Sequence, residues 1–207
     1  TGSCGKTTLK ELLGSSLKKI SKVSISQKSY NNKYGVPLSL FNLDQKDDYG
    51  VLEIGMDKKG EIDYLSRIVK PDVSIITNVN YAHIKNFKNI KQIALAKSEI
   101  INNTNDNGFI ILNADDNFYT LHKKIANKKN LKILSFGIKS KKANVKLIGI
   151  KKINKKFRAT IEINKFKVYF LISNDFQNNI LNILATLTVI SIFFDISKLS
   201  KNIFANF

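Results

Sequence analysis

The string Gly2-Ser3-Cys4-Gly5-Lys6-Thr7-Thr8 constrains this chain more than any other feature, because it runs without a break into a helical pattern. Leu9, Leu12, Leu13, Leu17 and Ile20 follow at the spacing of one helix face. Glycines at a loop-to-helix junction let backbone amides curl around phosphate oxygens, and the helix N-terminus adds positive partial charge. Lys6 is placed to reach outer phosphates, and the Thr7 hydroxyl to meet Mg²⁺. The first glycine of the full phosphate-loop pattern would fall ahead of Thr1, and such a loop normally follows a buried strand. The sequence therefore reads as a piece of a longer chain, with that strand upstream.

Behind this loop, strand-like and helix-like stretches alternate. Val23–Ile25, Tyr49–Ile54, Val73–Thr77, Phe109–Leu112 and Leu131–Phe136 read as strands. Between them Gly35–Leu43, Gly60–Val69, Ile90–Ile101 and Phe118–Ala126 read as helices. Repeated strand–helix units predict a P-loop-type α/β fold, a mostly parallel sheet flanked by helices. From about residue 144 the pattern changes. Val145–Ile150, Phe157–Ile163 and Phe166–Ile172 are strand candidates separated by short Asn- and Lys-rich turns, which predicts a small antiparallel β-meander insert over 144–172. A helix from Phe176 to Phe194 closes the pattern. With no internal repeat or long linker, residues 1–207 read as one domain.

The formal charge of +18 invites a nucleic-acid reading, but only Arg67 and Arg158 are arginines, and the lysines are spread along the chain. Forked phosphate and base contacts favour arginine, so no nucleic-acid partner is expected. The single cysteine, Cys4, excludes an internal disulfide and fits a reducing compartment. The most apolar run, Ile180 to Phe194, is broken by Asn182, Thr186, Thr188 and Ser191. At about fifteen residues it is short for a membrane span. A cytoplasmic, monomeric protein without membrane insertion is the expectation.

Two further positions are candidates for chemistry, each with a plainer alternative: a solvated strand end for Glu53, and for His83 the structural role that a lone histidine more often has. Glu53 ends an apolar strand, at the sheet edge where α/β ligands bind, close enough to help hold Mg²⁺. His83 follows another strand in the segment Thr77 to His83. His122 falls in a helix expected at the surface and is read as structural.

Several blocks, in this order, resemble the Mur ligase family: Gly2 to Thr8; Tyr30-Asn31-Asn32 leading to Gly35-Val36-Pro37-Leu38-Ser39-Leu40; Glu53-Ile54-Gly55 with Gly60-Glu61-Ile62; Lys70-Pro71-Asp72 with Thr77-Asn78 and Ala82-His83; Ala96-Lys97-Ser98-Glu99-Ile100; and Asn113-Ala114-Asp115-Asp116. The second and third blocks look most like the branch that joins D-Ala-D-Ala to UDP-MurNAc-tripeptide.

The resemblance implies an ATP- and Mg²⁺-dependent ligase that phosphorylates a carboxylate and lets an amine attack the acyl phosphate. It implies that Gly2, Ser3, Cys4, Gly5, Lys6, Thr7 and Thr8 hold the ATP phosphates. Thr7 and Glu53 would share one Mg²⁺ and His83 would bind a second. Lys97 would be carbamylated into an anionic ligand, with Lys6, Lys97 and His83 as the catalytic set. Asn31 and Asn32 would face the UDP-MurNAc-peptide substrate. Near the last helix the family usually shows Gly-x-His-Asn-x-x-Asn, where this chain has Phe176-Gln177-Asn178-Asn179-Ile180-Leu181-Asn182. Asn179 and Asn182 keep their places as nucleotide contacts, but the glycine and histidine are replaced. The family's UDP-gripping first domain and its last domain are absent from this sequence. Another Mur-like ligase, of the MurE or the folylpolyglutamate synthase type, is the alternative within the class; a P-loop switch or phosphotransferase is the alternative outside it.

Overall fold

The computed structural model describes residues 1–81, 86–173 and 179–205. Helix α1 (Lys6–Leu17) starts directly at the phosphate loop. It is followed by β1 (Val23–Ile25), α2 (Gly35–Phe41), β2 (Tyr49–Val51), α3 (Glu61–Val69), β3 (Val73–Ile76) and α4 (Ile90–Asn103). Next come β4 (Phe109–Asn113), α5 (Tyr119–Lys128), β5 (Lys132–Gly137), β6 (Val145–Ile153), β7 (Lys156–Ile163), β8 (Phe166–Ile172) and α6 (Ile180–Phe193).

Strands β3 to β8 form one six-stranded sheet in chain order. The steps β3–β4, β4–β5 and β5–β6 are parallel, and β6–β7 and β7–β8 are antiparallel. The meander is thus grafted onto the parallel sheet through Phe136↔Val145 and Gly137↔Lys146. At the β7–β8 turn, Asn164 and Lys165 both take positive φ (48° and 76°). That is the type I′ geometry that suits the twist of a two-residue hairpin.

Helices cover both faces. Alternation along β4 sends Ile111 toward α1 and α6, where Leu12, Leu13, Ile183 and Leu187 pack. Its neighbours Ile110 and Leu112 face α3, α4 and α5, against Ile62, Leu65 and Ile93. Local signals set the ends. Asn89 caps α4 by accepting from the Gln92 amide at 3.0 Å. Lys70 closes α3 in the left-handed region, with Pro71 next.

The expected parallel, helix-flanked sheet with its antiparallel meander is what the chain forms, with one division the sequence did not announce. Strands β1 and β2 make a separate two-stranded parallel sheet. Between β2 and β3 lies a cavity of about 460 Å³ whose lining includes Leu9, Leu13, Val51, Ile54, Val73 and Ile75. Thr1 runs along the β3 side of this cleft. Its amine donates to the Ile75 carbonyl at 2.8 Å, and the Thr77 amide donates to the Thr1 carbonyl at 3.0 Å.

Candidate active site at the phosphate loop

Gly5 caps α1 with φ 76°, a left-handed conformation that glycine takes without a Cβ clash, so the helix opens at a tight loop. That loop is braced by the segment after β3. The Ser3 amide donates to the Asn78 carbonyl at 3.0 Å, and the Cys4 amide to Asn78 Oδ1 at 2.9 Å. Thr77 Oγ1 and Asn78 Nδ2 both donate to the Cys4 carbonyl, at 3.2 and 3.1 Å. Gly2 is needed for this brace: a Cβ there would stand 1.8 Å from Thr77 Oγ1. Ser3 and Cys4 amides are therefore engaged within the protein, although the sequence offered every amide from Gly2 to Thr8 to phosphate.

Glu53 lies two residues past the end of β2, and only 3% of its surface is exposed. A buried carboxylate is costly unless its oxygens are satisfied. Thr7 Oγ1 donates to Glu53 Oε2 at 2.7 Å, and Asn31 Nδ2 donates to Oε1 at 2.6 Å. Ser29 Oγ stands 3.4 Å from the same Thr7 hydroxyl. Three segments distant in sequence thus meet on one carboxylate. Mg²⁺ is commonly held by one or two protein oxygens completed by phosphate and water, and the Thr7–Glu53 pair has that donor chemistry.

Basic groups gather beside Thr1. Lys97, on α4, is 2% exposed, and burial lowers its pKa to about 8 with help from the nearby Lys6 ammonium. Burial and the Lys97 and Lys6 charges also lower the Thr1 amine to about 5, against a smaller opposing effect of Glu53. These mutual effects put Lys6, Lys97 and Glu53 in one electrostatic neighbourhood around Thr1.

The remaining expected residues divide. Asn31 joins the site through Glu53, but the Asn32 amide oxygen accepts from the Tyr34 and Gly35 amides at 3.1 and 3.0 Å, opening α2. Asn182 lies against the phosphate loop, its Oδ1 3.5 Å from where a Cβ on Gly5 would stand. Asn179 is the residue before α6 and makes no side-chain cap. Thr8 sits in the first turn of α1. His83 lies outside the described residues, as do Phe176 to Asn178.

His122 is not at the surface. It is 2% exposed, with its ring Nε2 3.1 Å from the Ala94 carbonyl, because α5 packs that face onto α4. Burial lowers its pKa. Two contributors escaped the sequence reading. Asn78 braces the loop with both its backbone and its amide side chain, which a motif block alone does not reveal. Lys10 is buried, 3% exposed, and its signal was visible: it shares the apolar stripe of α1 with Leu13 and Leu17.

Comparison with known proteins shows the family. Residues 1–190 match the Mur ligase middle domain. The UDP-N-acetylmuramoyl-tripeptide–D-alanyl-D-alanine ligase of Buchnera aphidicola is 42% identical over 142 residues, covering 69% of this chain and 31% of that protein. The crystal structure of MurF from Acinetobacter baumannii superposes with a TM-score of 0.84 at 30% identity, over 95% of this chain and 42% of that one. MurF from Thermotoga maritima, solved in complex with ADP, gives 0.82 at 29% identity, over 92% and 44%. The chain thus spans less than half the length of each of these relatives. With the phosphate loop, the buried carboxylate and the matched span in agreement, this chain belongs to the Mur ligase family, to which it contributes the middle domain.

Proposed function

We propose that this chain is the ATP-binding domain of a ligase that joins D-Ala-D-Ala to UDP-MurNAc-tripeptide in peptidoglycan precursor synthesis. The observation that carries the reading is the Thr7–Glu53–Asn31 cluster beside the phosphate loop, with Lys6, Lys97 and Glu53 all acting electrostatically on Thr1. The names of the Buchnera and Acinetobacter relatives support the choice of branch.

In this reading the loop and Lys6 hold the ATP phosphates, and Asn182 lies on the nucleotide side of the loop. Thr7 and Glu53 hold Mg²⁺, which offsets charge on the transferred phosphoryl group. His83 is assigned to a second ion. Lys97 is assigned carbamylation: its nitrogen bonds to CO₂ and releases a proton, giving an anionic oxygen donor. The lowered pKa of Lys97 supports this, because the neutral amine is the form that reacts. Asn31 orients Glu53 and faces the acceptor side.

The reading extends to the rest of the protein. A further strand of the same sheet is proposed for the cleft between β2 and β3, parallel to both and entering ahead of Thr1. The apolar lining and the ladder-like bonding of Thr1 to β3 support it. Contacts to UDP and to the incoming amine are assigned to domains outside this chain, and the protein to the cytoplasm as a monomer. Among the described residues no helix is long and apolar enough to cross a membrane.

The test is calorimetric titration of residues 1–207 with ATP, with and without Mg²⁺, followed by product analysis with UDP-MurNAc-tripeptide and D-Ala-D-Ala. We expect Mg²⁺-dependent binding and no amide, because positioning of acceptor and amine can be worth about 7–11 kcal/mol of barrier. A folded chain that ignores ATP would overturn the reading.

A further inference from the structure

Lys10 has a role that neither the phosphate loop nor the metal pair accounts for. Its ammonium is buried, and all three of its N–H donors have acceptors. It donates to the Ser26 carbonyl at 2.6 Å and the Lys28 carbonyl at 2.5 Å, and it pairs with Glu11 Oε1 at 2.7 Å. The two carbonyls bracket a turn in which Lys28 takes a left-handed φ of 45°, an uncommon conformation for a side-chain-bearing residue. Directly after that turn come Ser29, against Thr7, and Asn31, on Glu53. The Asn31 carbonyl also accepts from the Gly55 amide at 2.8 Å, so the same loop fixes the chain just past Glu53.

The geometry points to Lys10 as a positioning residue: from inside α1 it holds the Ser26–Asn31 loop in the shape that sets Asn31 and Ser29 on the Thr7–Glu53 pair. This rests on the proposed reading of that pair as the Mg²⁺ site. All three Lys10 donors are taken within the protein, which leaves none for nucleotide or ion. Its helix begins at the phosphate loop, so α1 presents Thr7 at its first turn and grips the opposing loop one turn later. One rigid element thereby sets both sides of the carboxylate.

The experiment uses the whole chain with Lys10→Met, which keeps the apolar stem and removes all three donors. Amide hydrogen exchange in the nucleotide-free chain should speed up at least about tenfold at Ser29, Tyr30 and Asn31 and stay unchanged in α4 and the β-meander. In titrations, ATP affinity without Mg²⁺ should stay within about twofold of the parent, while the gain that Mg²⁺ brings should fall about tenfold. Lys10→Gln, which keeps donors on a shorter uncharged stem, should lose less, and it carries the test if the methionine variant does not fold. Exchange that rises everywhere, or affinity lost equally with and without Mg²⁺, would make Lys10 a general structural residue and overturn the role. No change in either readout would overturn it as well. A parent chain that binds ATP without any Mg²⁺ dependence would instead fail the site reading itself, and the role of Lys10 with it.

Discussion

Thr7 and Glu53 are 46 positions apart in the chain, yet the Thr7 hydroxyl donates to the Glu53 carboxylate at 2.7 Å. This bond ties the first turn of α1 to the loop after β2, and it is the point where phosphate chemistry and metal chemistry can be separated by mutation. Glu53→Gln keeps the shape and one acceptor but removes the charge. The gain in ATP affinity on adding Mg²⁺ should drop at least about tenfold, in line with the ~1.5–3 kcal/mol of a charge-assisted contact. Calorimetric titrations in Mg²⁺ and in chelator decide it, and an undiminished Mg²⁺ gain in the variant would remove Glu53 from the ion.

The brace under the phosphate loop predicts a double-mutant cycle. Gly2→Ala places a methyl 1.8 Å from Thr77 Oγ1 and should destabilise the fold by about 1–3 kcal/mol through overpacking. Thr77→Ala removes the clashing hydroxyl and its 3.2 Å bond to the Cys4 carbonyl, a loss of about 0.5–1.5 kcal/mol. Combined, the two should be less destabilising than their sum, because the second relieves the first. Urea unfolding midpoints measure this. Simple additivity would mean that the cost of Gly2→Ala does not arise at the Thr77 hydroxyl.

His122 predicts an acid-sensitive term in stability. Its folded pKa lies below its ordinary value of 6.5, mainly through burial. The sign follows: the unfolded chain takes up the proton first, so the stability from neutral His122 is full above 6.5 and is lost as pH falls through the folded value. His122→Gln should start less stable and lose less between about pH 7.5 and about pH 5. Parallel melting curves show it. Equal acid losses in both proteins would assign the effect to other groups.

Lys97 gives a chemical prediction. Carbon-13 bicarbonate should produce a carbamate resonance in the parent chain that is absent from Lys97→Arg, since a guanidinium does not add CO₂. A resonance that survives the substitution would place the adduct elsewhere.

Much of the fold was legible because strand and helix periods differ, and because turn residues mark the changes of direction. Asn164-Lys165 and Lys70-Pro71 announce their turns in the sequence. The separation of β1 and β2 from the main sheet was not legible, since pairing partners are set by tertiary packing and leave no local mark. In the site, Lys6, Thr7 and Glu53 could be named from the chemistry that loop and strand ends support. Asn78 could not, because what it grips, through its carbonyl and both ends of its amide side chain, is the backbone of the loop, and such bonds leave no spacing pattern in the sequence. His122 was expected in a surface helix and Lys10 drew no reading, because a lone polar residue on a helix carries no motif; each nevertheless has carbonyl partners inside the protein.

The cleft between β2 and β3 also bears on how this chain behaves in solution. An open strand edge is a template for pairing with another molecule, and in residues 1–207 taken alone the edge of β2 faces an apolar slot, across from a β3 edge that Thr1 only partly covers. Opposing this is the formal charge of +18, which makes every pair of molecules repel at long range. Salt weakens the second effect and leaves the first intact. Colloidal stability of residues 1–207 made alone should therefore fall as ionic strength rises, so that dilute buffer, rather than saline, is the medium in which that piece stays dispersed.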